Sequence, residues 1–204
     1  TCDWSSDVCS SDLGMILSNG LILGANTLVG GTGAGQLELA GVVSGGYGLT
    51  KTGTYRLVLS ANNTYSGGTV VDRGTLSLEH DNAVANSTQL LVNALGTVVA
   101  DGGAPTVQHL SGTGKLILTN GAAVTVNNSG ASSTFTGVIS GDGSLTKSGG
   151  STLTLSTIQT YRGDTIVNGG TLQLDGRIAS TNLAVNVGTF NWNNVLAMTN
   201  ASAL

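Results

Sequence analysis

Both cysteines of this chain, Cys2 and Cys9, lie in its first thirteen residues, so the remaining 191 have no disulfide to hold them. There is one proline, Pro105. Charged residues make up 9% of the sequence, against roughly 25% in an ordinary globular domain. So few lysines and arginines leave no basic patch for a nucleic acid. No apolar run approaches the roughly 18 residues of a membrane span, and no window sustains a 3.6-residue periodicity. Long helices, membrane-spanning helices and nucleic-acid modules are therefore excluded.

What remains is 40% apolar residues in short Leu/Val/Ile groups, set among Ser, Thr, Asn and 32 glycines. These are the residues of turns and pleated surfaces, and enough of them are apolar to fill a core. The chain reads as all-β. Residues 1–13, TCDWSSDVCSSDL, differ from everything after them. They hold both cysteines, Trp4 and three acids, and they lack the basic start and apolar stretch of a signal peptide. This segment resembles translated sequencing adapter, and it is expected to be a non-native tail ahead of one domain spanning 14–204. Eleven acids less the tail's three leave eight against seven bases, so the net charge of −4 falls to −1 without it. Neither end looks like a natural terminus, so the chain is expected to be an interior piece of something longer.

Residues 41–78 and 137–174 are one segment written twice, 96 positions apart, with 20 of 38 aligned residues identical. The recurring residues include Leu49/Leu145, Lys51/Lys147, Leu57/Leu153, Tyr65/Tyr161 and Leu76/Leu172. Self-similarity at a fixed period marks an array of stacked units. Apolar pairs two residues apart, which share one face of a strand, recur at Leu37/Leu39, Leu57/Leu59, Leu76/Leu78, Leu116/Leu118, Leu153/Leu155 and Leu172/Leu174. Their second members, with Val98 and Phe135, form a ladder with steps of about 17 to 20 residues, a short period of the kind that stacked coils require. A second ladder runs through Leu28, Leu49, Val70, Leu90, Leu110, Val126, Leu145, Ile166 and Val185. A weaker third is visible at Ile139, Ile158 and Ile178. The spacing predicts a parallel β-helix of triangular section with about ten coils of roughly 17–21 residues each, five to a long repeat. The inward positions would include Leu57, Leu59, Leu153, Leu155, Leu172 and Leu174.

Leu49-Thr50-Lys51, Leu57–Ser60, Thr64–Thr69 and Gly74–Leu78, repeated at Leu145-Thr146-Lys147, Leu153–Ser156, Thr160–Thr165 and Gly170–Leu174, resemble the autotransporter-associated β-strand repeat. The first copy departs from that pattern at Tyr47 and Tyr55-Arg56. The resemblance implies a right-handed β-helical passenger of a Gram-negative protein, displayed at the cell surface or secreted. Its implied partner is a C-terminal outer-membrane barrel, of which this fragment has no trace; host-surface or glycan ligands are further possible partners. A body without cysteine suits passage through a narrow pore, because a periplasmic disulfide would close a bulky loop.

The candidate chemical groups are few. Glu79-His80-Asp81 is the densest titratable cluster, but in an extended segment His80 points away from its neighbours, and a solvated turn is expected. His109 has no nucleophile motif beside it. Gly45–Gly48 opens like a calcium-binding nonapeptide, with Thr50 where the carboxylate should stand. Gly112–Lys115 lacks the first glycine and the Ser/Thr of a phosphate loop. Lys51 and Lys147, recurring with the repeat, are expected to be architectural. No metal or cofactor is implied. Arg162-Gly163-Asp164 resembles integrin-recognition tripeptides and is the candidate adhesion site, provided that its corner bends outward; short motifs also arise by chance. The expected function is a non-enzymatic stalk supporting adhesion. The alternatives are a carbohydrate-cleaving β-helix with paired carboxylates in a groove, or a carbohydrate-binding one with an exposed row of Tyr47, Tyr55, Tyr65 and Tyr161.

Overall fold

The computed structural model describes residues 14–193. They contain 23 strands and no helix, wound as a parallel β-solenoid of about nine turns. Residues 1–13, the expected tail, lie outside the described residues.

Each turn visits three faces. The first face stacks Met15–Leu17, Gln36–Leu39 and Arg56–Leu59, and later Lys115–Thr119 and Val138–Gly141. The second stacks Thr106–Gln108, Ala123–Asn127, Ser144–Ser148, Thr165–Val167 and Leu183–Val185 in parallel register. The third begins with Thr27–Val29 and Leu49–Lys51 and ends with Ser133–Phe135, Thr152–Leu155, Thr171–Leu174 and Thr189–Trp192. Thr69–Leu78 and Leu90–Asp101 run unbroken from the third face into the first face of the next turn, with a bulge at Val71/Arg73 that turns the corner.

A strand three or four residues long cannot bury its apolar side alone; like must stack on like from turn to turn. Leu57, Leu59, Leu153, Leu155, Leu172 and Leu174 all point inward at 0% exposure, as expected. The corners demand glycine where turns approach closely. Gly53 and Gly74 both have φ near +74°, and a Cβ on either would lie within 2.3 Å of a carbonyl oxygen in the turn before.

Two sequence readings need correction. The second ladder has mixed parity. Leu28 pairs with Thr50 and is 68% exposed, while Val70 and Ile166 also sit outward; on these last two strands Thr69, Val71, Thr165 and Val167 face the core. Ile158, in the third ladder, is likewise exposed, and Gln159 takes the inward place. Nor is the long repeat five turns. Leu118 stacks on Gly141, not on Phe135, which lies beneath Gly112. Likewise Val126 stacks on Val107, not on Leu110. The short steps from 118 to 135 and from 110 to 126 each span two faces rather than three. True stacking on the first face runs from Val98 to Leu116 and from Leu116 to Ile139. Leu49–Lys51 therefore lies on the third face of the second turn and Leu145–Lys147 on the second face of the seventh. That separation is fourteen faces, or 4⅔ turns.

Candidate functional site

The repeated residues converge inside the solenoid. Leu49, Lys51, Leu57, Leu59, Tyr65, Thr69, Val71, Leu76 and Leu78, and their nine counterparts from Leu145 to Leu174, are each at most 1% exposed. Among the larger recurring side chains, Val42 and Val138 are the ones that stay partly outside.

Each buried lysine turns its ammonium back onto the corner. Lys51 Nζ donates to the carbonyls of Thr52 (2.7 Å), Gly53 (2.8 Å) and, one turn on, Arg73 (3.0 Å). Lys147 Nζ donates to Ser148, to Gly149 (2.9 Å) and to Gly169 (3.1 Å) in the next turn. In each copy three N–H donors meet three corner carbonyls, and two turns are tied together; Ser148 O also accepts the Asn128 amide at 3.0 Å. Burial away from water disfavours the charged form and brings Lys51 down to about 8; Lys147 is lowered for the same reason. In the first copy the Tyr55 ring lies 4.0 Å from Lys51 Nζ, a cation–π contact that Ser151 lacks in the second.

The tyrosines form the second device. Tyr65 OH reaches Thr69 Oγ1 at 2.7 Å, and Tyr161 OH reaches Thr165 Oγ1 at 2.6 Å. Burial pushes Tyr65 up to about 12 and also raises Tyr161. A third device escaped the sequence reading because its residue changes between copies. Asn63 and Gln159, 96 apart, are both buried. Asn63 accepts Val43 N–H at 2.8 Å and donates to Ala83 O at 3.0 Å; Gln159 accepts Ile139 N–H at 2.6 Å. Amides at one repeat position, differing by a methylene, would have been the signal.

The exposed candidates are dispersed. Glu79 pairs with Arg56 at 3.0 Å, His80 Nδ1 accepts the Asn82 amide at 3.0 Å, and Asp81 accepts the Ala104 amide at 2.7 Å, so the cluster splits three ways. Among the described residues no three His, Cys, Asp or Glu side chains gather as metal ligands. Gly45 is a corner residue with φ +112°, and Lys115 starts a strand, exposed on the first face. Of the four tyrosines Tyr47 alone is exposed, at 48%, so they make no aromatic row. Arg162-Gly163-Asp164 occupies the corner between first and second faces. Its amides donate to Gly141 O (3.0 Å), Gly143 O (2.9 Å) and Ser144 Oγ (3.0 Å), so the backbone lies within the stack while Arg162 is exposed.

Comparison with known proteins agrees with this geometry. The family model of the passenger-associated-transport-repeat matches residues 49–78 and again 145–174. The chain is 38% identical over 160 residues to the adhesin BmaC autotransporter of Brucella suis biovar 1 (strain 1330), an alignment covering 72% of this chain and 5% of the adhesin. It is 35% identical over 109 residues to the uncharacterized lipoprotein YdeK of Escherichia coli (strain K12), covering 52% of this chain and 8% of the lipoprotein. Over 51 residues it is 53% identical to an extracellular serine protease of Serratia marcescens, covering 25% of this chain and 5% of the protease. The chain thus spans less than a tenth of each relative's length. No solved structure matches it significantly.

Proposed function

Since this chain carries two passenger-associated transport repeats of the autotransporter kind and belongs with surface-displayed or secreted Gram-negative passengers, we propose that it is a non-enzymatic stalk segment that holds adhesive parts of a longer protein away from the cell. One observation carries this reading. In each copy nine recurring side chains, from Leu49 to Leu78 and from Leu145 to Leu174, are buried at 0–1% exposure, and the lysines among them tie turn to turn, so the repeated sequence chiefly encodes scaffold. A repeated binding site would instead have its recurring side chains outside. In this reading a C-terminal outer-membrane barrel of the same protein is the export partner, and adhesion to host surfaces or glycans is the task of the whole.

The protease relative aligns over a quarter of this chain, a stretch of scaffold that a protease passenger and an adhesin passenger can share. Arg162-Gly163-Asp164 is the narrower part of the proposal, as a contact for animal-cell receptors.

The test is to fuse residues 14–204 ahead of an autotransporter barrel in a Gram-negative host, beside a version lacking 45–140. That deletion joins Ser44 to Gly141 and keeps the repeat in register. Both fusions should reach the surface and resist external protease as folded rods of different length. Retention of the shortened fusion in the periplasm, or a binding activity lost with the deletion while display is normal, would refute the stalk reading.

A further inference from the structure

His109 stands at the corner between second and third faces with φ +40°, a left-handed conformation unusual for a side chain other than glycine. Its ring spans three turns. Nδ1 lies 2.9 Å from Thr88 O in the turn before, and Nε2 accepts the Ala131 amide at 3.2 Å from the turn after. Because Nε2 accepts an N–H, the ring is neutral and its single proton sits on Nδ1, where it donates to Thr88 O. Both roles are fixed by their partners.

The loop that His109 holds belongs to a long turn, which runs from Gly112 to its stacked partner Phe135. Positions 129–132 of that turn lie at the surface. The base of the loop is fastened from inside, where buried Asn128 donates to Ser133 Oγ at 2.8 Å and to Ala131 O at 3.4 Å; its tip meets neighbouring turns at Ser132 Oγ, which accepts the Thr152 amide at 3.1 Å, and through the His109 ring. Beside the ring is a groove of about 380 Å³ lined by Thr88–Gln89, His109, Ser111 and residues 131–134. Apart from His109 these lining residues carry no titratable or charged side chain.

We propose that His109 is a pH-sensitive clasp on this loop. Neutral, it binds both neighbouring turns and closes the rim of the groove. A proton from the medium can add only at Nε2, which turns that acceptor into a second donor facing the Ala131 N–H. The two donors repel and the Ala131 hydrogen bond is lost, so the tip loosens around Ala131 while Ser132 keeps the Thr152 amide and Nδ1 keeps its bond to Thr88. Histidine changes charge between pH 5 and 8, so the clasp is shut at neutral pH and opens in a mildly acidic medium. A segment displayed outside the cell meets that range directly.

Amide hydrogen exchange and NMR on the purified chain decide the matter. With intrinsic rates corrected, Ala131 should exchange about tenfold faster at pH 5.0 than at pH 7.5, the factor expected for one net hydrogen bond. Val126 and Phe135, within the ladders, should hold their protection. In His109→Asn, which tolerates the left-handed backbone, Ala131 should exchange fast at both pH values. Unchanged protection of Ala131 at pH 5.0, or retained protection in His109→Asn, overturns the proposal. If His109→Asn also exposes Phe135, Ala131→Pro replaces it as the test. It removes the donated N–H and fixes φ at position 131, so the Ser132 amide should then exchange without any pH step, and a persisting step overturns the clasp.

Discussion

Raising the pH should make this solenoid more stable before it makes it less so. Lys51 is brought down to about 8 by burial, from 10.5 in the unfolded chain. At neutral pH both states are protonated, and the folded state bears the full cost of a desolvated ammonium. As pH rises from 8 towards 10.5 the folded chain sheds its proton first, so it binds fewer protons than the unfolded chain and stability climbs. That lowering corresponds to about 3 kcal/mol, of which roughly 2 kcal/mol should be recovered between pH 7 and 10. Lys147 is lowered too and adds in the same direction. The tyrosines set the upper limit. Tyr65 is raised to about 12, and Tyr55 and Tyr161 are also raised, so above pH 10 unfolded tyrosines ionise while folded ones do not. Stability held below pH 10 is then lost as pH climbs further. Urea midpoints from pH 6 to 11 should trace a maximum near pH 10. Lys51→Met/Lys147→Met should flatten the rise between 8 and 10 and lower stability throughout. It removes the charge but strands the carbonyls of Thr52, Gly53, Gly149 and Gly169, at about 1–3 kcal/mol each, while Ser148 O keeps the Asn128 amide. A midpoint that falls steadily from pH 7, or a double variant with the parent's pH profile, would refute this account of the lysines.

Other outcomes can be checked on the same material. Leu155→Asp puts an unpaired carboxylate at a position with 0% exposure and should unfold at least its own turn, visible as lost amide protection at Phe135 and Leu174; a variant melting like the parent would contradict the inward assignment. Asn63→Leu should lower stability by about 2–4 kcal/mol by stranding Val43 N–H and Ala83 O, measured by urea denaturation. Cell attachment to the purified chain, compared with Asp164→Glu, tests the tripeptide. A drop in the variant supports a receptor contact, and equal attachment means the corner plays no part. Deleting residues 1–13 is expected to leave the urea midpoint unchanged if they form no part of the domain.

The class of fold was legible because stacking forces period-two apolar pairs to recur, and Leu57/Leu59 or Leu172/Leu174 satisfy that rule plainly. Parity on the second ladder was not. In Thr69-Val70-Val71 the most apolar reading puts Val70 inside, yet the Tyr65 hydroxyl supplies Thr69 with a buried partner, and the hydroxyl position wins the core. Only the three-dimensional neighbour decides such a case. The face count failed for a related reason. The first and third faces share Leu-x-Leu pairs and the second carries the similar Val124/Val126, so an apolar pair does not say which face it belongs to. Lys51 and Lys147 were recognised as architectural from recurrence, but the three carbonyls they satisfy are set by backbone direction at the corner, which residue types do not encode. Asn63 and Gln159 share an amide but not an identity, so matching identical residues between the copies does not show them.

The 4⅔-turn repeat has a mechanical result for any longer array of this kind. Motifs copied in tandem will not lie in one line along the rod. Each copy is indexed by a third of a revolution from the last, so a given outward residue points to three compass directions in succession and returns to the first with the fourth copy. Gene duplication in units of this length therefore extends such a rod and, at the same stroke, distributes whatever its surface offers around the whole circumference.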